Sequence, residues 1–265
     1  MADDAAPGAL TERRGNTLLI TINRPEARNA VNTSVSVGVG DALQTAQDDP
    51  EIRAVVITGS GDKSFCAGAD LKAISRGENI FHPDHPEWGF AGFVQHFIDK
   101  PVIAAVNGTA LGGGSEIALA SDLVVAASGA QFGLPEVKRG LVAAAGGMFR
   151  VVEQLPRKIA MQLLVTGDPI GAENAARWGM INQVVPDGTV VEAALAMAER
   201  ITVNAPLAVQ ASKRVALGVD DGQITAELPA WKRSNREMRV VFGSEDAKEG
   251  PMAFAQKRAP VWKAR

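Results

Sequence analysis

Short apolar runs alternate with amphipathic segments along the first half of the chain. The runs are β-branched or apolar and close on Gly, Asn or Ser, as buried strands do. They cover residues 17–23, 54–58, 102–106 and 123–127. Between the first two runs, Val35, Val39, Leu43 and Ala46 recur at helical spacing and predict a helix over residues 33–47. Strands that alternate with helices predict an α/β fold.

From about residue 151 the pattern becomes mainly helical. Apolar residues at spacings of three and four predict helices over residues 151–164, 172–178, 190–203, 207–218 and 224–241. One strand-like run, residues 181–185, interrupts them. The polar segment 75–87 is broken by Pro83 and Pro86 and predicts an exposed or irregular loop.

The stretch NGTALGGGSE, residues 107–116, places three glycines before an apolar helix, with Glu116 at its start. A Gly-rich turn at a helix N-terminus exposes backbone N–H groups and lets a ligand approach the main chain closely. Such a turn is suited to binding an oxyanion, and a carboxylate beside it is suited to acid–base chemistry. The alternative is structural, because an acid in the first turn of a helix also suits the helix dipole.

Two further acids occupy comparable positions. Glu136 follows Pro135 in FGLPEVKRG, and Asp70 follows the small residues of SFCAGADLK, where it also fits a helix N-cap. Asp70, Glu116 and Glu136 each come after a strand and a loop of small residues, which forms a weak internal repeat and is compatible with a spiral of similar turns. Because neighbouring elements are usually adjacent in space, we expect Glu116 and Glu136 to form an acid–base pair.

Composition excludes several functional classes. The chain has 265 residues, 46% hydrophobic and 22% charged, with a net charge of −3, and this is typical of a soluble globular protein without the basic surface of a nucleic-acid-binding protein. No apolar run reaches the length of a membrane span. The lone Cys66 excludes an intrachain disulfide, and the acidic start MADDAAPGAL is unlike a secretory signal. We therefore expect a cytoplasmic protein.

Other candidate groups fit structural positions better than sites. His82, His85 and His96 lack the Cys or carboxylate partners of a convincing metal site, so no metal is expected. Ser115 lacks a His partner and the spacing of a serine hydrolase nucleophile. We expect Cys66 to be a small packed residue. Three aromatic residues, Trp88, Phe90 and Phe93, have two possible roles. They line an acyl pocket, or they pack in the core or at a subunit contact.

Several motifs in order resemble the crotonase superfamily, the enoyl-CoA hydratase and isomerase family. They are ITINRPEARNAV (20–31), SFCAGADLK (64–72), KPVIAAVNGTALGGGSEIALASDLVVA (100–126), FGLPEVKRGL (132–141) and GPMAFAQKR (250–258). The resemblance implies a crotonase-like spiral of ββα repeats over residues 1–200 and a helical C-terminal trimerisation region over residues 201–265, which closes the coenzyme A site. It also implies trimers or dimers of trimers and no cofactor, since coenzyme A is part of the substrate.

The resemblance also assigns residues. It implies an oxyanion hole for the thioester carbonyl, made by the N–H groups of Ala69 and Gly113. In hydration, Glu116 would deprotonate the water that attacks Cβ, and Glu136 would deliver a proton to Cα. The implied contacts to substrate and coenzyme A are Ala27, Arg28, Ala67, Asp70, Leu71, Lys72, Gly112, Phe254 and Lys257.

The two glutamates favour an enoyl-CoA hydratase of fatty acid or related acyl-CoA metabolism, acting on a 2-enoyl-CoA thioester. The C-terminal sequence and the LPEVKRGL segment are similar to the carnitinyl-CoA dehydratase branch, which makes a polar or branched acyl group the alternative. An enoyl-CoA isomerase and a catalytically inactive acyl-CoA-binding scaffold remain further alternatives. One departure concerns residues 143–147, which read AAAGG where hydratases commonly carry Pro-Gly-Ala-Gly-Gly.

Overall fold

Two β-sheets and a β-hairpin organise the computed structural model, which describes residues 6–265. The first part of the acidic start, residues 1–5, lies outside the described residues. The strands are β1 Ala9–Arg14, β2 Thr17–Ile22, β3 Ala54–Gly59, β4 Ser64–Cys66, β5 Val102–Val106, β6 Thr109–Leu111, β7 Leu123–Ala127, β8 Gln131–Gly133, β9 Ile170–Gly171, β10 Gln183–Val185, β11 Val219–Asp220 and β12 Gln223–Ile224. The larger sheet has the order β1-β2-β3-β5-β7-β10, and the smaller has the order β4-β6-β8-β9.

Helices cover the sheets and form most of the second half of the chain. They are α1 Thr33–Asp48, α2 Leu71–Ser75, α3 Gly113–Ala120, α4 Gly147–Gln154, α5 Arg157–Thr166, α6 Ala172–Arg177, α7 Val190–Thr202, α8 Pro206–Leu217, α9 Leu228–Phe242 and α10 Glu245–Ala255. Glu136 lies on a short 3₁₀ helix, Pro135–Arg139. No helix within residues 6–265 is long and apolar enough to span a membrane.

A repeated ββα unit explains the predicted internal repeat. Each of β3, β5 and β7 in the larger sheet is followed by a short strand of the smaller sheet, and then by α2, α3 or the 3₁₀ helix. The short strands β4, β6 and β8 are parallel neighbours, so the segments that follow them start at one edge of the smaller sheet. Asp70, Glu116 and Glu136 therefore occupy equivalent places in successive units. The α/β spiral with a helical C-terminal region is confirmed.

The hydrophobic pattern located the long buried elements and missed the short ones. Strands β3 and β5 are buried at every position, as their apolar runs predict. The single helix predicted over residues 151–164 is wrong: the chain breaks at Leu155 and Pro156 between α4 and α5. Proline cannot donate an intrahelical hydrogen bond, and it disfavours helical geometry at the residue before it. The predicted start at Ile224 is also wrong, since this residue belongs to β12 and α9 begins at Leu228.

Candidate active site

The three glycines at the start of α3 are each required by a different contact within the chain. Gly112 has φ +56°, and a methyl group on it would lie 2.9 Å from Glu136 Oε1. A methyl group on Gly113 would overlap the Phe90 ring, and one on Gly114 would overlap the Cys66 carbonyl. The glycines therefore let α3 pack against β4 and the Glu136 turn, in addition to leaving its N-terminus open.

Two backbone N–H groups beside this turn have no acceptor among residues 6–265. Gly113 is the first residue of α3, where an N–H has no intrahelical partner. Ala69 forms a parallel bridge with Val31 in which the Val31 N–H donates to Gly68 O and Val31 O accepts from the Asp70 N–H. The Ala69 N–H takes no part in that bridge. The loops also meet, because a methyl group on Gly68 would lie 3.2 Å from Gly113 N.

Glu116 is buried at 3% exposure on the first turn of α3. The Gly147 N–H, at the start of α4, donates to Glu116 Oε1 over 2.9 Å. Burial raises the pKa of Glu116, and the neighbouring Glu136 carboxylate raises it further, whereas the N–H groups of Gly147 and Ala145 and the Arg150 cation act against this rise. Glu116 thus has a fixed position and an affinity for protons above that of an ordinary glutamate.

Glu136 faces the same space from the 3₁₀ helix. Its Oε1 lies above Gly112, and its Oε2 is buried without a hydrogen-bond partner among the described residues. Burial raises the pKa of Glu136, although its own backbone N–H acts in the opposite direction. Because each carboxylate disfavours ionisation of the other, the pair titrates as a unit and retains a proton at a higher pH than isolated glutamates.

The predicted coenzyme A segments lie beside the Ala69 loop. The Ala67 N–H donates to Arg28 O over 3.1 Å, which joins the turn of Ala27 and Arg28 to this loop. Asp70 is the N-cap of α2, as its structural alternative predicted, and its carboxylate also pairs with Arg24 at 2.9 Å. Although burial opposes it, hydrogen bonds from the Ala73 N–H and Arg24 lower the pKa of Asp70. The two remaining residues of the segment are exposed: Leu71 and Lys72.

The C-terminal helix reaches the site through the turn that carries Glu136. The Phe254 ring lies 3.9 Å from the Arg139 guanidinium, and a methyl group on Gly250 would overlap the Arg139 carbonyl. Phe254 is 55% exposed, and Lys257 is exposed just beyond the end of α10 with φ +54°. This chain therefore places its own α10 against its own Glu136 turn, with both predicted contact residues facing solvent.

Comparison with known families agrees with this geometry. The family described as enoyl-CoA hydratase/isomerase matches residues 12–265. The chain belongs to this family.

Individual members of the family match over nearly the whole chain. A carnitinyl-CoA dehydratase from Salmonella typhi is 45% identical, over 96% of this chain and 97% of its own length. The crystal structure of a carnitinyl-CoA hydratase from Mycobacterium avium is 73% identical with a TM-score of 0.97, over 98% of this chain and 100% of that one. An enoyl-CoA hydratase structure from Mycobacterium tuberculosis H37Rv is 45% identical with a TM-score of 0.77, over the same shares of the two chains.

The remaining candidate residues, which the sequence placed in structural positions or left with a structural alternative, make contacts within the fold. Ser115 Oγ donates to Ala110 O over 2.7 Å and accepts from the Gly133 N–H over 2.9 Å, so it joins α3 to the smaller sheet. The Trp88 ring stacks between His85 and His96 at centroid distances of 4.0 and 3.9 Å. Phe90 is 7% exposed and closes over Gly113. Burial raises the pKa of the Cys66 thiol to about 12, so this thiol is neutral.

Two residues of the site were missed in the sequence. Gly147 holds Glu116, and Arg150, one helical turn later, is buried at 5% exposure. The signal for Gly147 was present in AAAGG, where a glycine pair precedes a helix. Arg150 gave a weaker signal, a single charge at the start of an otherwise apolar helix face, and its partner Glu227 is far away in the sequence.

Proposed function

We propose that the protein is an acyl-CoA hydro-lyase of the carnitinyl-CoA dehydratase type. Its substrate would be a coenzyme A thioester whose acyl group carries a 3-hydroxyl and a 4-trimethylammonium group. The observation that carries the proposal is the carboxyl pair of Glu116 and Glu136 beside the N–H groups of Ala69 and Gly113, which have no acceptor among the described residues. The carnitinyl-CoA relatives support this substrate over the simple 2-enoyl-CoA that the sequence analysis placed first.

The oxyanion hole would act on the thioester carbonyl. In the proposed complex the carbonyl oxygen accepts hydrogen bonds from the N–H groups of Ala69 and Gly113. Negative charge grows on this oxygen as the Cα proton leaves, and preorganised donors stabilise that charge without reorganising. The positive end of the α3 dipole adds to the effect.

The carboxyl pair would move the two protons of the reaction. In dehydration, the Glu136 carboxylate takes the Cα proton, the electron pair forms the Cα–Cβ double bond, and the C–O bond at Cβ breaks. Glu116 in its acid form gives its proton to the departing hydroxyl group, so that water leaves. Hydration reverses each step, with Glu116 as the base and Glu136 as the acid. A pair that retains one proton suits this exchange, because one member must be protonated while the other is ionised.

Steady-state kinetics with two substrate pairs test the proposal. We expect kcat/KM for carnitinyl-CoA dehydration, and for the reverse hydration, to exceed the values for the crotonyl-CoA pair by about tenfold or more. Faster turnover of crotonyl-CoA would favour the simple hydratase. Double-bond migration without hydration would favour the isomerase, and thioester binding without turnover would favour the scaffold.

We also propose that the protein forms trimers or dimers of trimers. Helix α8 has no buried residue, and its Leu207 and Val215 are 78% and 82% exposed. An amphipathic helix of this length normally buries its apolar side, so a second subunit is a suitable cover. Sedimentation velocity would test the assembly, and a monomer at micromolar concentration would contradict it.

A further inference from the structure

Arg150 joins the turn that holds Glu116 to the C-terminal helices. Its Nε and Nη2 donate to the two Glu227 carboxylate oxygens over 2.8 and 2.7 Å, and Nη2 also donates to Val94 O over 2.8 Å. The Trp231 indole N–H donates to the same Glu227 carboxylate over 3.1 Å. One guanidinium thereby connects α4, the loop before β5 and the start of α9.

The same arginine contacts the residue before Gly147. A methyl group on Gly146 would lie 2.9 Å from Arg150 Nη1, so the guanidinium packs over this glycine and leaves no room for a side chain there. The Arg150 backbone N–H also donates to Gly146 O over 3.0 Å, as the main chain of any residue at this helical position would. Gly146 has φ +103°, a conformation that favours glycine, and it directs the Gly147 N–H toward Glu116. Arg150 Nη1 is buried and has no hydrogen-bond partner among the described residues.

Stability alone is a weak reason to keep such an ion pair. Removing two charges from water is costly, and well-packed apolar residues often replace a buried pair without loss of stability. Arg150 and Glu227 have side chains that are only 6% and 13% exposed. The position of the pair next to the Glu116 turn is therefore informative.

The charged groups around Glu116 come from the Glu136 turn and from α4 rather than from the strands packed against α3. The strands packed against α3 are β4, β5 and β6, and their sequences SFC, VIAAV and TAL bring a single titratable group, the neutral Cys66 thiol. The Glu136 turn brings the Glu136 carboxylate together with Lys138, which pairs with Asp168, and Arg139, which lies on the Phe254 ring. Helix α4 brings Arg150 and Glu153. Among these cations, Arg150 is the one whose charge opposes the rise in the pKa of Glu116.

We propose that Arg150, held by Glu227, is a positioning residue for Glu116: it fixes the Gly146–Gly147 turn that binds the Glu116 carboxylate, and it places a positive charge beside that carboxylate. The catalytic meaning of this contact rests on the proposed function. The effect of Arg150 on the protonation of the Glu116 carboxyl group can be measured without turnover.

The test compares two substitutions of the arginine. Arg150→Met removes the charge and the side-chain hydrogen bonds. Arg150→Lys keeps the charge but cannot make the paired hydrogen bonds to the two Glu227 oxygens. We expect Arg150→Met to lower kcat about tenfold or more with KM changed less than about threefold, and to shift the acid limb of the hydration pH profile to higher pH, because the ionised base loses its cation. We expect Arg150→Lys to lower kcat while the acid limb stays in place.

Glu227→Gln supplies the opposite charge change. It leaves the Arg150 cation unneutralised, so we expect the acid limb to move to lower pH. Lys213→Met is the matched control, because it breaks another largely buried ion pair, Lys213 with Asp122 at 2.7 Å. Lys213 lines the same cavity as Arg150, but it donates hydrogen bonds to Asp122 and the Lys100 carbonyl rather than to the Glu116 turn. We expect the acid limb of this control to coincide with that of the unaltered protein.

A direct titration separates this proposal from the proposed function. The protonated carboxyl band of Glu116, assigned by its loss in Glu116→Gln, is followed by infrared spectroscopy over pH in folded samples of each variant. If no thioester is turned over but the band titrates at higher pH in Arg150→Met, the function fails and the positioning role stands. The positioning role is wrong if the unaltered protein, Arg150→Met and Glu227→Gln all share the same titration midpoint of the band and the same position of the acid limb. Should Arg150→Met fail to fold, the Glu227→Gln shift decides alone.

Discussion

The two glutamates of the candidate site are held in different ways. Glu116 lies on α3, whose residues Gly113–Leu119 are all buried, and the Gly147 N–H binds its carboxylate. Glu136 lies on a short 3₁₀ helix whose residues are half-buried or exposed, and although its Oε2 is buried, this oxygen has no hydrogen-bond partner in the described chain. The core fixes the first carboxyl, whereas the second depends on what covers its turn.

The cover of the Glu136 turn comes from the end of the chain. Gly140, which ends the 3₁₀ helix with φ +65°, and Gly250 in α10 each lack space for a methyl group, because Asp246 and Arg139 carbonyls lie against them. The residues after α10 fold back onto it, since Asp246 accepts from the backbone N–H groups of Lys263 and Ala264. Helix α10 therefore packs against the turn that carries Glu136, in addition to its expected role at coenzyme A.

The largest effect expected is on turnover. Glu116→Gln and Glu136→Gln each keep the shape of the side chain and remove its acid–base function, so we expect each to lower kcat by about 10²–10⁴. The double variant should be little worse than either single variant, because the pair acts as a unit. Steady-state dehydration kinetics check this, and turnover retained in either variant would show that the assigned role is wrong.

The next prediction compares a glycine of the core, in α3, with a glycine of α10, which covers the Glu136 turn. Gly114→Ala forces a methyl group into the Cys66 carbonyl in the core, and we expect it to lower the free energy of unfolding by about 1–3 kcal/mol. Gly250→Ala forces α10 away from the Arg139 carbonyl, and we expect kcat to fall about tenfold with a smaller loss of stability, because the Glu136 turn moves.

Thermal unfolding measures the loss of stability, and steady-state kinetics on the same samples measure the change in kcat. Gly171→Ala is the control, because nothing lies within 4 Å of its added methyl group and its φ of −76° is accessible to alanine. If Gly250→Ala retained full turnover, α10 would have no part in positioning Glu136.

The smallest effect concerns the pH dependence of stability. The folded-state pKa of Glu116 is raised by burial and by Glu136, so its folded form binds a proton more strongly than its unfolded form. Its contribution to stability is present below the unfolded pKa and is lost as pH rises through the folded pKa. Glu116→Gln removes this loss, and we expect its Tm to exceed that of the unaltered protein by about 2–4 °C at pH 9, with less difference at pH 5. A Tm difference of the same size at pH 5 and at pH 9 would contradict the raised pKa of Glu116.

The sequence predicted the parts of the fold that local pattern specifies. Long apolar runs such as β5 and β7 lie where the pattern placed them. Strands β4, β6 and β8 have three residues each, too few for any periodicity, so they were missed. Strand β1 was missed because it is an edge strand whose residues are mostly exposed, and ALTERR has no apolar alternation to detect.

The candidate site was predictable where motif and position coincide. Glu116 and Glu136 were found because each follows a Gly- or Pro-marked turn, and the ββα repeat brings them together. The contacts of Gly250 with Arg139 and of Arg150 with Glu227 were not predicted, since each joins residues far apart in the sequence. Local signals carry no information about such partners until the fold is known.

In the proposed reaction Glu136 acts at Cα and Glu116 acts at Cβ. A saturated thioester without the 3-hydroxyl group allows only the Cα step, so exchange of its Cα protons with D2O isolates that step. We expect Glu116→Gln to retain this exchange within about tenfold of the unaltered rate, and Glu136→Gln to lose it by about 10²-fold or more. Loss of exchange in Glu116→Gln with retention in Glu136→Gln would contradict the assignment.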